Sequence, residues 1–263
     1  MLDRLIAAKN KEINRLRRIR DEGRLPGIAA SRSPGLAQAI ESDTGTSVIA
    51  EYKRASPSKG VIREDIGPEE AGELFNRAGA SAISVLTEEP HFRGEMGFLL
   101  RIEGAGLPLL RKDFILDPLQ VRHTASTPAS AVLVIAAVFR HRPERMADIC
   151  AYARDLGLET VVEVTGGREL DSAREAGTRL IQVNNRDLFT LRVDREASSR
   201  LIRERQSREL WISASGIASA SDVRQVRDLG FDACLVGTSI MENTDPAGFL
   251  AELTRAGGNQ GGA

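Results

Sequence analysis

Short apolar runs alternate with amphipathic segments along most of the chain, starting near residue 47. Eight of these runs are rich in apolar and β-branched residues and have the length of buried strands. The predicted strands are Ser47–Arg54, Ala82–Thr87, Pro108–Phe114, Ala131–Phe139, Thr160–Thr165, Leu180–Asn185, Leu210–Ser215 and Ala233–Thr238.

The segments between these runs repeat apolar residues at helical spacing, and several open with a proline and end at a glycine. Helices are predicted at Pro68–Ala78, Pro118–Ser126, Pro143–Leu156, Gly167–Ala176, Arg195–Arg205, Ala220–Leu229 and Pro246–Arg255. Strands that alternate with helices form a parallel sheet, and eight such units in about 220 residues indicate a (β/α)8 TIM barrel. A doubly wound open sheet is the alternative, but it usually has fewer strands and would want a glycine-rich first turn, and no GxGxxG motif occurs.

The first 46 residues precede this repeat and predict a helical extension. Apolar residues at helical spacing favour one helix over residues 2–20 and a weaker one over about 34–41. The pattern does not say whether the first helix covers the barrel bottom or its mouth. No linker divides the chain, so residues 1–263 are expected to form one domain, with a flexible tail over 256–263.

Composition and charge argue against several classes of protein. The chain has 263 residues, a formal net charge of -1, 41% hydrophobic residues and 28% charged residues, so a globular fold without nucleic-acid binding is expected. The longest apolar run, Ala131–Phe139, is too short to span a membrane, and no secretion signal is present, so a cytoplasmic protein is expected. Two distant cysteines and three scattered histidines predict neither a disulfide scaffold nor a metal site. A monomer is the expected oligomeric state.

Polar residues gather at the C-terminal ends of the predicted strands, where a barrel builds its active site. They are Glu51 and Lys53 on the first strand, Lys112 on the third, Glu163 on the fifth, and Asn184 and Arg186 at the end of the sixth. A single polar residue at a strand end is usually just the start of a solvated loop. Carboxylates and lysines that converge from four strands must pair with one another or bind a ligand, because burying them alone is costly.

Lysine is scarce in this chain. Only five of its 36 basic residues are lysine, and three of the five lie in residues 51–60 and 109–115. Lysine, unlike arginine, can give up its proton near neutral pH, so Lys53 and Lys112 are interpreted as proton donors of tunable pKa. Lys9 and Lys11 are interpreted as ordinary surface charge, and Lys59 is left open.

The ends of the last two strands predict a phosphate site. Ser215 and Gly216 follow the seventh strand, and Gly237 and Thr238 follow the eighth. Glycine lets backbone N–H groups approach an anion closely, and these two loops commonly hold phosphate in a TIM barrel.

Several motifs together resemble the indole-3-glycerol phosphate synthase family. They are EYKRASPSKG (51–60), AISVLT (82–87), LLRKDFILD (109–117), VVEV (161–164), VNNRDL (183–188), SASGI (213–217) and LVGTSIM (235–241). The resemblance runs from about residue 2 to 255, and the ExKxxSPS and LRKDF blocks are highly specific. It implies a TIM barrel with an N-terminal extension. It also implies that 1-(2-carboxyphenylamino)-1-deoxyribulose 5-phosphate cyclises, with loss of CO2 and water, to indole-3-glycerol phosphate.

The resemblance also implies roles for individual residues. Lys112 would be the general acid, Glu163 the acid/base of the later dehydration, and Glu51 with Lys53 a pair that binds substrate anions and assists proton transfer. Asn184 would belong to the same catalytic set and hold the substrate. Further substrate contacts are implied for Arg186, Ser56, Pro57 and Ser215, and the phosphate cradle for Ser215, Gly216, Gly237 and Thr238. The implied ligand is a phosphorylated small molecule, with no metal or organic cofactor.

Some positions depart from the family pattern. Ala214 stands where the family usually has Glu, Gln182 where it has Gly, Thr165 where it has His, and Pro128 where it has Gly. Loss of a carboxylate at 214 leaves open a specialised paralogue with altered rate or substrate, or a barrel that binds a ligand without turnover. An isomerase of the preceding pathway step is a further alternative, but such enzymes use a Cys or Asp pair at the strand ends.

Overall fold

The computed structural model describes residues 2–187, 190, 192–194 and 196–258. Its eight parallel strands close into a barrel in which each pairs with its neighbours and the last pairs with the first, as predicted. The strands are β1 Ser47–Tyr52, β2 Ala82–Leu86, β3 Leu109–Lys112, β4 Ala131–Ile135, β5 Glu159–Val164, β6 Leu180–Asn184, β7 Leu210–Ala214 and β8 Ala233–Val236.

Helices cover the outside of this barrel. The α-helices are Leu2–Asp21, Leu36–Ser42, Pro68–Arg77, Glu89–Phe92, Gly97–Arg101, Pro118–Thr124, Pro143–Asp155, Gly167–Glu175, Glu196–Leu201, Ala220–Asp228, Thr238–Met241 and Pro246–Gly257. Short 3-10 turns lie at Glu103–Ala105, Ala136–Phe139 and Ile202–Glu204. None of the described helices is both long enough and apolar enough to cross a membrane.

Alternate residues of each strand face opposite sides, which produces two apolar layers. Residues such as Ile49, Leu133 and Ile212 fill the barrel interior. Residues such as Val48 and Val132 face outward and pack against the helices. The continuous apolar runs of the sequence arise because both faces of every strand are buried.

Several elements and boundaries differ from the prediction. The fourth strand stops at Ile135, where its ladder with β5 ends, and residues 136–139 form a 3-10 turn; a short apolar run does not distinguish strand from helical turn. An antiparallel hairpin joins Ala55–Ser56 to Gly60–Val61 in the first loop, where no element was predicted. The last helix continues to Gly257, so Ala256 and Gly257 do not belong to the predicted tail, and residues 259–263 lie outside the described chain.

The N-terminal extension contacts both ends of the barrel. Its first helix lies beside the mouth, where Leu5 lines the central cavity. Its second helix is held at the opposite end, because the carboxylate of Glu159 at the start of β5 accepts hydrogen bonds from the backbone N–H groups of Leu36 and Ala37.

Candidate active site

A cavity of about 350 Å³ opens at the C-terminal ends of the strands, where barrel enzymes carry their active sites. All twelve residues singled out from the sequence line it. They are Glu51, Lys53, Ser56, Pro57, Lys112, Glu163, Asn184, Arg186, Ser215, Gly216, Gly237 and Thr238. The barrel brings them together from six strand ends and from the first-loop hairpin.

Glu51 is the centre of the charged part of the cavity. Its side chain is buried, with one carboxylate oxygen 2.7 Å from Lys53 Nζ and the other 3.5 Å from Lys112 Nζ. Burial disfavours its charged form, but the two ammonium groups outweigh burial and lower the pKa of Glu51 to about 2. Glu51 is therefore an anion at neutral pH.

Lys112 is held in its protonated form. Burial disfavours the ammonium, but the charges of Glu51 and Glu163 outweigh burial and raise the pKa of Lys112 above its usual value. The shift is thus opposite to that of a lysine activated as a base. A protonated Lys112 fits a donor or an electrostatic stabiliser of negative charge.

Glu163 lies across the cavity in a different environment. Its carboxylate is buried and accepts hydrogen bonds from two amides, Gln182 Nε2 at 2.6 Å and Asn184 Nδ2 at 3.0 Å. The Asn184 carbonyl in turn accepts the backbone N–H of Arg186 at 2.9 Å, which fixes the orientation of the amide. Gln182 was noted in the sequence only as a departure from the family. Its two-residue spacing from Asn184, which places both side chains inside the barrel, was the signal available.

The candidate phosphate loops have unusual backbone conformations. Ser215 and Gly216 have φ values of 70° and 81°, a left-handed pair that turns the chain sharply after β7. At Gly237 an added Cβ would lie 2.5 Å from a carboxylate oxygen of Glu51. Glycine at 237 is therefore required for Glu51 to keep its place.

Lys9 does not lie on the surface, so its interpretation as ordinary surface charge is wrong. It is 2% exposed, and its Nζ lies 2.7 Å from Asp113 and 2.6 Å from Glu12. Its spacing from Leu5 and Ile13 puts it on the apolar face of the first helix, and this signal could have identified it.

Asp113 links this helix to the cavity, because it directly follows Lys112. Its carboxylate also accepts hydrogen bonds from the Arg111 guanidinium at 2.8 Å and from the Thr87 hydroxyl at 2.6 Å. Burial disfavours its charged form, but Arg111 and Lys9 outweigh burial and lower the pKa of Asp113 to about 2. Lys59, left open above, lies 3.1 Å from Glu242 at the rim of the cavity.

Comparison with known proteins agrees with this geometry. The family model described as indole-3-glycerol phosphate synthase matches residues 2–253. The chain belongs to this family.

Named relatives extend over nearly the whole chain. The indole-3-glycerol phosphate synthase of Desulfotalea psychrophila is 39% identical over 260 residues, covering 97% of this chain and 98% of that protein. That of Dehalococcoides mccartyi is 42% identical over 210 residues, covering 78% and 80%. Indole-3-glycerol phosphate synthase 2 of Streptomyces coelicolor is 38% identical, covering 92% and 94%.

Solved structures agree on the fold. The 3-hexulose-6-phosphate synthase of Salmonella typhimurium superimposes with a TM-score of 0.64 at 17% identity, covering 80% of this chain and 98% of that one. At this identity the likeness concerns the barrel alone.

Proposed function

We propose that the residues around the cavity close the indole ring by proton transfer and electrostatic stabilisation, without a metal or organic cofactor. The activity follows from the family. The chain is an indole-3-glycerol phosphate synthase, which is a decarboxylating lyase of tryptophan biosynthesis. The observation that carries the assignment of roles is the convergence of Lys112, Glu51 and Glu163 on one cavity.

The phosphate of the substrate is assigned to Ser215, Gly216, Gly237 and Thr238. The two loops face the same cavity, and the left-handed turn at Ser215 and Gly216 supports close approach of an anion. Binding the phosphate there supplies energy remote from the reacting atoms, which orients the rest of the substrate. The first-loop residues Ser56 and Pro57, which line the same cavity, are also assigned to the substrate.

Lys112 is assigned as the acid of ring closure. As the ring carbon that carries the carboxylate bonds to the ketone carbon, negative charge develops on the ketone oxygen, and Lys112 donates a proton to it. Cleavage of the bond to the carboxylate then releases CO2, and its electron pair restores the aromatic ring. Glu51 keeps Lys112 protonated and aligned, and Lys53 binds a substrate anion beside it.

Glu163 is assigned to dehydration. The carboxylate of Glu163 takes a proton from the new ring and gives it to the hydroxyl formed from the ketone, which leaves as water and completes the indole. Glu163 therefore ends the step as a carboxylate, as it began. Asn184 and Arg186 are assigned to the carboxylate and hydroxyls of the substrate.

The decisive experiment supplies the purified protein with the carboxyphenylamino substrate and follows indole fluorescence and CO2 together. Both products are expected, and Lys112→Ala is expected to lower kcat by about 10³-fold, since a positioned general acid contributes on the order of 10² to 10⁴. Lys11→Ala, an exposed lysine of the first helix, is the control and should keep full activity.

Three outcomes would contradict parts of this proposal. A fully active Lys112→Ala variant would remove Lys112 from its role. Turnover of phosphoribosylanthranilate without CO2 would favour an isomerase, and tight binding without turnover would favour a ligand-binding barrel. Relatives of the same name at 35–42% identity do not favour these alternatives or a specialised paralogue.

We also propose that the chain acts in the cytoplasm as a single-domain monomer without nucleic-acid partners. Its near-neutral charge supports the last point. Sedimentation of the purified protein should give a mass near 28.5 kDa.

A further inference from the structure

Gln182 is a fully buried amide on β6, inside the barrel. Leu180 precedes it on the same face, and Ile212 of β7 is its partner in register. A glutamine at this depth loses its hydration, which must be offset by the bonds it makes.

We propose that Gln182 is a positioning residue, which holds the carboxylate of Glu163 in the orientation that dehydration requires. The proposal deepens the function above and rests on the assignment of Glu163 to that step.

Two side-chain amides hold Glu163, one at each carboxylate oxygen. Gln182 pairs in register with Glu163 on the neighbouring strand, and its Nε2 donates to one carboxylate oxygen at 2.6 Å. Asn184 lies two residues further along β6, therefore on the same face, and donates to the other oxygen at 3.0 Å. Two donors from one strand, one on each oxygen, restrict rotation of the carboxyl group.

The side-chain carbonyl of Gln182 indicates why an amide occupies this position. Its Oε1 is buried and has no hydrogen-bond partner among the described residues. A carboxylate only accepts, so the amide must turn its N–H toward Glu163 and its carbonyl away. A side chain present only to fill space would be apolar here, since an unpaired carbonyl destabilises the fold. The charge-assisted bond to Glu163 is the one interaction in the described chain that explains an amide at this site.

The experiment compares two substitutions at the same height of the barrel. Gln182→Met keeps the length of the side chain and removes the donor, and Ile212→Met alters packing on the adjacent strand without touching Glu163. We expect Gln182→Met to lower kcat about tenfold, the value of one charge-assisted hydrogen bond, with KM changed less than about twofold. Ile212→Met should keep kcat within about threefold.

A single-turnover measurement separates positioning from packing. If Gln182 acts through the dehydration acid/base, CO2 release by Gln182→Met should run ahead of indole fluorescence, whereas the two coincide in the unmodified protein. Calorimetric titration with indole-3-glycerol phosphate should still give one site per chain, and Tm should be unchanged or higher, because the unpaired carbonyl is gone.

Unchanged kcat, or CO2 and indole slowed equally, would overturn the proposal. If Gln182→Met does not fold, Gln182→Leu is measured in the same way, with the same expected and contradicting results. The Glu163→Gln variant separates the assignment of Glu163 to dehydration from the positioning role of Gln182. An active Glu163→Gln variant refutes the assignment of Glu163 and this inference together. An inactive one, with Gln182→Met fully active, refutes only the inference.

Discussion

The two sides of the cavity keep a carboxylate in place by different means. On the β1–β3 side, Glu51 is surrounded by ammonium groups, and Asp113 behind it binds Arg111 and Lys9. On the β5–β7 side, Glu163 is held by the amides of Gln182 and Asn184. Ion pairs hold a carboxylate in its charged form, whereas neutral amides fix its orientation. Among the described residues, no cation forms an ion pair with Glu163.

This difference matches the chemistry assigned to each side. In the proposed mechanism the charged side stabilises a developing alkoxide, and for this it needs a cation that stays protonated. In the same mechanism the amide side exchanges protons, and for this it needs a carboxylate not neutralised by a lysine in contact with it. Each side is therefore expected to fail differently when its carboxylate is replaced.

Replacement of Glu51 should have the largest effect. Glu51→Gln leaves Lys53 and Lys112 close together without their counter-charge. We expect kcat/KM to fall about 10³-fold and the free energy of unfolding to fall by about 3 kcal/mol, as when one partner of a buried pair is removed. Glu163→Gln keeps a carbonyl that accepts from Asn184, and Gln182 can turn its unpaired carbonyl toward the new NH2 group, so this variant should lose less than about 1 kcal/mol. Urea unfolding of both variants measures the contrast, and equal losses would refute it.

The pH dependence provides a second measure of the same contrast. The folded-state pKa of Glu51 is about 2, below its usual 4.5, so its contribution to stability is complete above about pH 4.5 and is lost as the pH falls toward 2. The pKa of Lys112 is raised, so its contribution is complete below its usual value and is lost only at still more alkaline pH. The difference in unfolding free energy between the unmodified protein and Glu51→Gln should therefore be flat at neutral pH and shrink in acid. A difference that grows as the pH falls from 4.5 would contradict the pairing.

Removal of the Lys9 ammonium, which lies behind the charged side, should lower the unfolding free energy less than replacement of Glu51 does. Lys9→Met leaves Arg111 as the one described cation in contact with buried Asp113, and we expect a loss of about 2 kcal/mol in unfolding free energy. Lys11→Met, two residues away and exposed, should change it by less than about 0.5 kcal/mol. Thermal or urea unfolding of the matched pair tests this, and equal stability of the two variants would contradict the buried pairing of Lys9.

A charge added to the amide side should have the smallest effect. Ala214 is in register with Asn184, so Ala214→Glu places a second carboxylate where it competes for the Asn184 amide and repels Glu163. We expect kcat/KM to fall about threefold, a Coulomb effect under 1 kcal/mol. Ala214→Gln has the same size without the charge and should stay within about twofold. A rise in kcat/KM for Ala214→Glu alone would show that the cavity tolerates a third carboxylate.

Most of the barrel could be predicted from sequence because each buried parallel strand is an apolar run bounded by proline or glycine. The residues that line the cavity could be predicted because one rule, that barrel active sites lie at C-terminal strand ends, selects Glu51, Lys112 and Glu163 from many charged residues. What each residue contacts was harder to predict. The pairing of Gln182 with Glu163 depends on the register between β5 and β6, which local periodicity does not encode.

Lys9 illustrates a second reason for failure. A lysine on a helix is solvated by default, because burying it without a partner is costly. Its partner Asp113 lies on another element far along the chain, so no local pattern revealed the pair. The end of the fourth strand was missed for a local reason, since Ala136–Phe139 is as apolar as the strand it follows.

The network around Asp113 has a consequence for biosynthesis. Glu12 and Arg111, which join the first helix to the third strand, are 99 positions apart. At about 5–20 residues per second, the ribosome needs on the order of ten seconds to deliver the second partner after the first. An isolated helix is marginal in water, so the segment that is made first must wait for β3 before it docks. The N-terminus of the nascent chain therefore cannot become native before the third strand has been made.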